Sequence, residues 1–173
     1  MKQLCIYSVM IGLSLSLMPL TSSHAATPRQ QQALLQELTG KKPSQLKERD
    51  LYADILTAYD TKDLMRLQTK TQQLVRYFPQ GSLAPKALYM QSLLQAEKKR
   101  YVEALKSIAK IEKSYPQSSR RVSATFLKAM IFKSIHLPQQ SATVLREVSK
   151  KFPGSPESYR AAAELKILQN KVN

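Results

Sequence analysis

Residues 78–116 read FPQGSLAPKALYMQSLLQAEKKRYVEALKSIAKIEKSYP, a segment that opens and closes on an aromatic–proline pair. Between the pairs, small and apolar residues return at steps of three and four, interrupted once by the polar run Lys98-Lys99-Arg100. Steps of three and four put residues on one face of a helix. Proline ends a helix, because its ring removes a backbone donor and pushes the preceding residue out of the α region. The segment therefore predicts a helix, a short polar break, a second helix and a stop.

The unit repeats. Phe78-Pro79, Tyr115-Pro116 and Phe152-Pro153 recur at an interval of 37 residues. Each is followed by small polar residues: Gln80-Gly81-Ser82, Gln117-Ser118-Ser119 and Gly154-Ser155. A fixed period in this range signals a stacked-repeat architecture. Superposed on the prolines, Ala87, Ala124 and Ala161 coincide, as do Tyr52, Tyr89 and Phe126, and the small pair Ser92 and Ala129. In the second half of each unit the matching sets are Leu67, Ala104 and Ser141; Thr71, Ile108 and Leu145; and Leu74, Ile111 and Val148. Breaks fall near Asp60-Thr61, Lys98-Lys99 and His136-Leu137-Pro138.

These signals predict an all-α solenoid of about three helix pairs: 45–59 with 61–77, 82–97 with 100–114, and 119–135 with 138–151. A last helix over 156–170 closes the stack. Ser155 before Pro156 reads as an N-cap with proline at the first helical position, and Thr61 and Ser44 read as further caps. A pair this short cannot bury its own apolar face, so the neighbouring pair must cover it.

The ends read differently. Lys2 precedes an almost wholly apolar run over residues 4–20, broken at Pro19 and followed by Ser23-His24-Ala25. This is the three-part pattern of a secretory signal, with cleavage expected after Ala25. The alternative is an uncleaved membrane anchor. Cys5, the one cysteine, lies at the beginning of the apolar run and not after it, so lipidation is not expected. The expected organisation is a signal peptide over 1–25, an N-terminal segment with a short helix over 26–43, and the repeat domain over 44–173. The 148 residues after Ala25 suffice for one continuous core.

The formal charge is +15, or +14 once Lys2 leaves with the leader. Such a bias speaks to partners and solubility. For an exported protein, nucleic acid is not the expected partner. Anionic polymer, lipid head groups or an acidic protein face are. A merely solvated surface is the plainer alternative.

The repeat pattern resembles the tetratricopeptide repeat over residues 44–170. The resemblance rests on Tyr89, Ser92, Tyr101, Ala104, Ile108 and Ile111, followed by Tyr115-Pro116-Gln117-Ser118. Within that family it is similar to the bacterial envelope variety, the repeat modules of the Tol–Pal-associated cell-division coordinator and of outer-membrane-assembly lipoproteins. The chain departs from the pattern in having no tryptophan, in placing Gln91 and Lys128 at family leucine positions, in Ile55 standing where a small residue is usual, and in lacking the glycine of the intra-pair turn. Its period also exceeds the usual 34 residues.

The resemblance implies a periplasmic adaptor that binds proteins or peptides on a concave face lined by the first helices. Family register would line that face with Arg49, Tyr52, Leu56 and Tyr59; with Lys86, Tyr89 and Leu93; with Phe126, Met130 and Lys133; and with Arg160. Aromatics flanked by cations suit a peptide of acidic character. Ordinary inter-helix core is the alternative for the aromatics. A second candidate surface is the basic set Lys98, Lys99, Arg100, Arg120 and Arg121, suited to anionic cell-wall polymer or membrane head groups, or else simply solvated.

Catalytic signatures are missing from the sequence. His136 is the one histidine after the leader, so neither a histidine metal cluster nor a thiol-assisted site is expected. The glycines Gly40, Gly81 and Gly154 are isolated and form no phosphate loop. The expected function is a non-catalytic scaffold without cofactor or metal.

Overall fold

The aromatic–proline junctions close their helices in one repeated way. The backbone N–H groups of Phe78, Tyr115 and Phe152 donate to Leu74, Ile111 and Val148, four residues back, at 2.8, 3.0 and 3.0 Å. Their carbonyls then accept from Gly81, Ser118 and Ser155 across a tight turn. In the third turn Gly154 takes a φ of +77°, the conformation a type II turn needs after proline.

A computed structural model describes residues 47–170 of the chain. The expected signal peptide, the N-terminal helix and the Ser44 cap lie outside the described residues. Seven helices follow in order: α1 (Glu48–Asp60), α2 (Leu64–Tyr77), α3 (Ala84–Glu97), α4 (Tyr101–Ser114), α5 (Arg120–Ser134), α6 (Pro138–Lys151) and α7 (Pro156–Asn170). Among the described residues there is no strand. Consecutive helices pack as antiparallel neighbours, giving three pairs and a closing helix, an all-α helical-repeat solenoid. No helix among the described residues is long and apolar enough to cross a membrane.

The 37-residue register decides the core. All nine matched positions of the second helices, from Leu67 through Val148, are at most 1% exposed. Ala87, Ala124 and Ala161 are fully buried, as are Ser92, Ala129 and Ile55 at the next small-residue position. Ile55 fits because it packs in the cluster of Leu51, Leu67, Leu74 and Leu94 at the first pair. Burying such side chains stabilises by about 1.5–3 kcal/mol each for Leu or Ile.

The turns within pairs also share the register. Lys62, Lys99 and His136, 37 residues apart, have φ of 56°, 59° and 60°. Each follows a helix end as its left-handed closing residue. The next N–H (Asp63, Arg100, Leu137) reaches back five residues to Ala58, Gln95 and Phe132 at 2.9, 2.8 and 2.9 Å. This is the Schellman closure, which satisfies the last carbonyls of a helix and usually takes glycine. Here lysine and histidine hold it.

One cap differs from the expected assignment. Thr61 does not start α2; it ends α1, donating its hydroxyl back to Thr57 at 2.9 Å. Asp63 is the N-cap, its carboxylate accepting from the Arg66 N–H at 3.0 Å. Threonine precedes the left-handed Lys62, so the chain is still turning there. Ser155 does cap α7, its hydroxyl accepting from the Ser158 N–H at 3.1 Å. The start of α3 takes its partner from the previous unit, as Glu48 Oε1 accepts from the Leu83 N–H at 3.1 Å. A side chain at Gly81 would collide with that carboxylate.

Candidate functional site

Neighbouring first helices touch one another: α1 meets α3, α3 meets α5, and α5 meets α7. The second helices α2, α4 and α6 do not touch each other. The stack is therefore tight on the first-helix side and splayed on the other. The first helices line its concave face, and positions three and four apart along them point into it.

On that face, α1 carries Arg49, Tyr52, Leu56 and Tyr59, and α3 carries Lys86, Tyr89 and Leu93. A bowl of about 210 Å³ lies between the first two units, lined by Tyr52, Tyr59, Lys86, Tyr89, Met90, Leu93 and Arg120. The bowl brings together five residues of the expected concave row with Arg120, which sequence spacing had grouped with the basic set. No carboxylate lines it. Arg49 is exposed at the start of α1, and Leu56 is 40% exposed.

The bowl's side chains hold each other in place. The Tyr52 hydroxyl donates to Met90 Sδ at 3.7 Å. The Arg120 guanidinium lies 5.6 Å from the centre of the Tyr89 ring, and Lys62 Nζ lies 5.0 Å from that of Tyr59. Cations over aromatic faces at such distances contribute about 0.5–1 kcal/mol where solvent reaches them. Burial raises the Tyr89 phenol above its ordinary value, with Arg120 pulling it the other way. The phenol therefore stays a neutral hydrogen-bond donor through physiological pH. Neither Lys86 nor Arg120 forms an ion pair with a described residue.

The third unit is arranged otherwise. Phe126 is 6% exposed and packs with Ala129, Val144, Leu145 and Ala161, so it belongs mainly to the core. Arg160 covers its ring at 4.6 Å. Two further contacts tie α5 to α7: Ser123 donates to Glu157 at 2.6 Å, and Lys133 pairs with Glu164 at 2.5 Å. Met130 is half-buried against the same core cluster. The concave face is thus self-satisfied at α5–α7 and open at α1–α3.

The expected basic set does not form one patch. Arg100 pairs with Glu103 beside it at 2.8 Å, while Lys98 and Lys99 are exposed at the turn. Arg121 donates to the Pro116 carbonyl at 3.1 Å and lies over Phe152 at 5.7 Å. Arg120 faces the bowl.

Two more cavities are open to solvent. One, of about 420 Å³, lies between the first two junction loops and includes Gly81, Pro85, Tyr115 and Pro116. The other, of about 620 Å³, lies where a further helix would stack on α6 and α7, and includes Ala142, Arg146, Leu165 and Leu168. Among the described residues, no group of three His, Cys, Asp or Glu side chains is placed to hold a metal.

Met90 and the placement of Arg120 were not readable from spacing. Met90 sits one residue from the expected row, and Arg120 opens α5, ahead of the positions expected to line the face. No protein-family model matches the chain, and no curated protein matches it.

Proposed function

We propose that this chain is a non-catalytic adaptor of the tetratricopeptide type, exported to the periplasm, whose concave face takes an acidic protein segment of the cell envelope. The observation that carries this reading is the bowl between α1 and α3. Three tyrosines supply flat apolar walls, and Lys86 and Arg120 supply positive charge without a local counter-ion. A segment bearing an aromatic or aliphatic anchor and a neighbouring carboxylate satisfies both requirements. The anchor fills the space between the rings, and the carboxylate pairs with Arg120 in a partly desolvated site.

The export and envelope assignment draws on the leader pattern at residues 1–25 and on the envelope-type junctions. The repeat assignment draws on the 37-residue register and the order of first and second helices. The departures at Gln91, Lys128 and the turn positions 62, 99 and 136 are each locally accommodated, so they do not weigh against it.

The test is affinity capture from the native envelope, comparing the wild type with Tyr89→Ala and with the double variant Lys86→Glu/Arg120→Glu. Tyr89 is half-buried against the core of α3 and α4, so circular dichroism must show that both variants fold before their capture is compared. Loss of the captured protein in both variants is expected. Capture that persists in both would remove the bowl as the binding site. Phe126 is unsuited to this test, because shortening it would open the core.

A further inference from the structure

The face opposite the bowl has its own pattern. Each second helix shows solvent an outermost row of residues, spaced by four, three and four: Met65, Thr69, Gln72 and Arg76 on α2; Val102, Lys106, Ala109 and Lys113 on α4; Gln139, Thr143, Arg146 and Lys150 on α6. The rows share the 37-residue register, so they run side by side on the convex side. All twelve residues are exposed. None is a carboxylate. The carboxylates of the second helices lie off these rows and are engaged: Glu103 with Arg100, Glu112 with Lys128, and Glu147 with Lys151.

The rows carry five cations, and Lys110 beside them is a sixth, at the register position that Glu147, paired with Lys151, holds on α6; none of the six pairs with a described residue. Arg76, Lys113 and Lys150 sit in last turns, where the helix dipole alone accounts for them. Lys106, Lys110 and Arg146 sit mid-helix and have no such account. At the other end of the rows, Met65 and Val102 occupy equivalent positions on neighbouring helices and are 73% and 64% exposed.

We propose that this convex face docks on the anionic head-group surface of a lipid bilayer. Parallel cation rows, flanked only by acids already paired with basic neighbours, match a surface of negative charge, and each Lys or Arg near such a surface adds to the attraction. Met65 and Val102 are placed to enter the boundary between head groups and acyl chains beside those cations. Two exposed apolar side chains beside the cations suit a bilayer, with its acyl boundary, and have no counterpart to meet on a purely polar anionic polymer. The concave bowl would then face away from the membrane. This inference is independent of what the bowl binds.

The test is co-flotation of the full-length protein, as isolated from its cells, with vesicles of phosphatidylcholine containing about a third phosphatidylglycerol. Binding should require the anionic lipid and weaken steeply as salt shortens the screening length. Lys106→Gln/Lys110→Gln/Lys113→Gln should weaken it by about a hundredfold, from three attractive charges lost. Lys86→Glu/Arg120→Glu, on the concave face, should leave it largely unchanged. Equal loss from both variants, or flotation with pure phosphatidylcholine that the convex variant does not alter, would overturn the proposal. Soluble polyphosphate separates lipid from polymer. Met65→Ser/Val102→Ser should weaken vesicle binding severalfold and leave polyphosphate binding unchanged. If it weakens neither, the lipid assignment fails and the face is a general polyanion site.

Discussion

Gln91 on α3 donates its side-chain amide to the Ser107 hydroxyl on α4 at 3.1 Å, with both side chains buried. Ser107 passes the chain on, donating to Gln95 Oε1 at 2.8 Å. The same slot one unit earlier holds Asp54 and Lys70, paired at 2.7 Å. One unit later Lys128 turns instead to Glu112 of α4 at 3.1 Å. Only α7 fills the slot with an apolar residue, Leu165. A position that resembles a leucine site is thus polar three times, with a different partner each time.

The Gln91–Ser107 pair predicts opposite outcomes for its two ends. Ser107→Ala leaves the Gln91 amide and the Gln95 oxygen without their partner and should cost about 1–3 kcal/mol. Gln91→Leu removes a buried carbonyl oxygen that has no hydrogen-bond partner. It keeps the volume and leaves Ser107 bonded to Gln95, so stability should hold or rise by about 1 kcal/mol. Urea denaturation of both variants decides it; a destabilised Gln91→Leu would contradict the argument.

Asp54 makes the first unit sensitive to acid. The hydrogen bond from Lys70, followed by the nearby charges of Lys70 and Arg66, holds its carboxyl below the ordinary value of 3.8 despite some desolvation. A folded-state value below the unfolded one means the contribution is fully present above pH 3.8 and is lost as pH falls through the lower value. Asp54→Asn should therefore lower stability at neutral pH and flatten its loss below about pH 4. Thermal melts from pH 7 to pH 2 would show the two curves converging; parallel curves would dismiss the pair.

Left-handed Lys99 is a place where glycine should do better. A non-glycine residue in that region costs about 1–2 kcal/mol, against about 0.5–1 kcal/mol for glycine's extra freedom when unfolded. Lys99→Gly and His136→Gly should each raise stability by up to about 1 kcal/mol. Lys62→Gly should gain less, because Lys62 also pairs with Glu97 at 2.6 Å. Melting temperatures of the three single variants test that order, and Lys99→Val, which strains the turn further, should melt below the wild type.

Ala104 and Ala109 share α4 and differ in burial. Ala104 is fully buried between helices, and Ala109 is exposed. Ala104→Arg should abolish cooperative folding by overpacking and burying a charge, at a cost well above 3 kcal/mol. Ala109→Arg should be tolerated. Circular dichroism melts read both, and an unaltered Ala104→Arg melt would be incompatible with this packing.

The helix pairs, their order and their buried faces were legible in the sequence. Proline placement and apolar steps act within a few residues, and the 37-residue register only repeats that local grammar. Helix ends fell within a few residues of expectation, and the Thr61 cap moved because the left-handed Lys62 extends the turn before α2 begins. The site was legible as a row of candidates and no further. Tyr52, Tyr89 and Phe126 are equivalent in sequence, yet two line an open bowl and the third is core. The difference arises because α7 lies over α5 and brings Glu157, Arg160 and Glu164 onto it. Arg120 was read by its neighbour Arg121, but the start of α5 aims one at Tyr89 and the other at Phe152. Local periodicity determined which residues are buried along each helix. Which of the equivalent aromatics and cations stay open to solvent was decided only when neighbouring units packed, since that depends on what the next helix places across the gap.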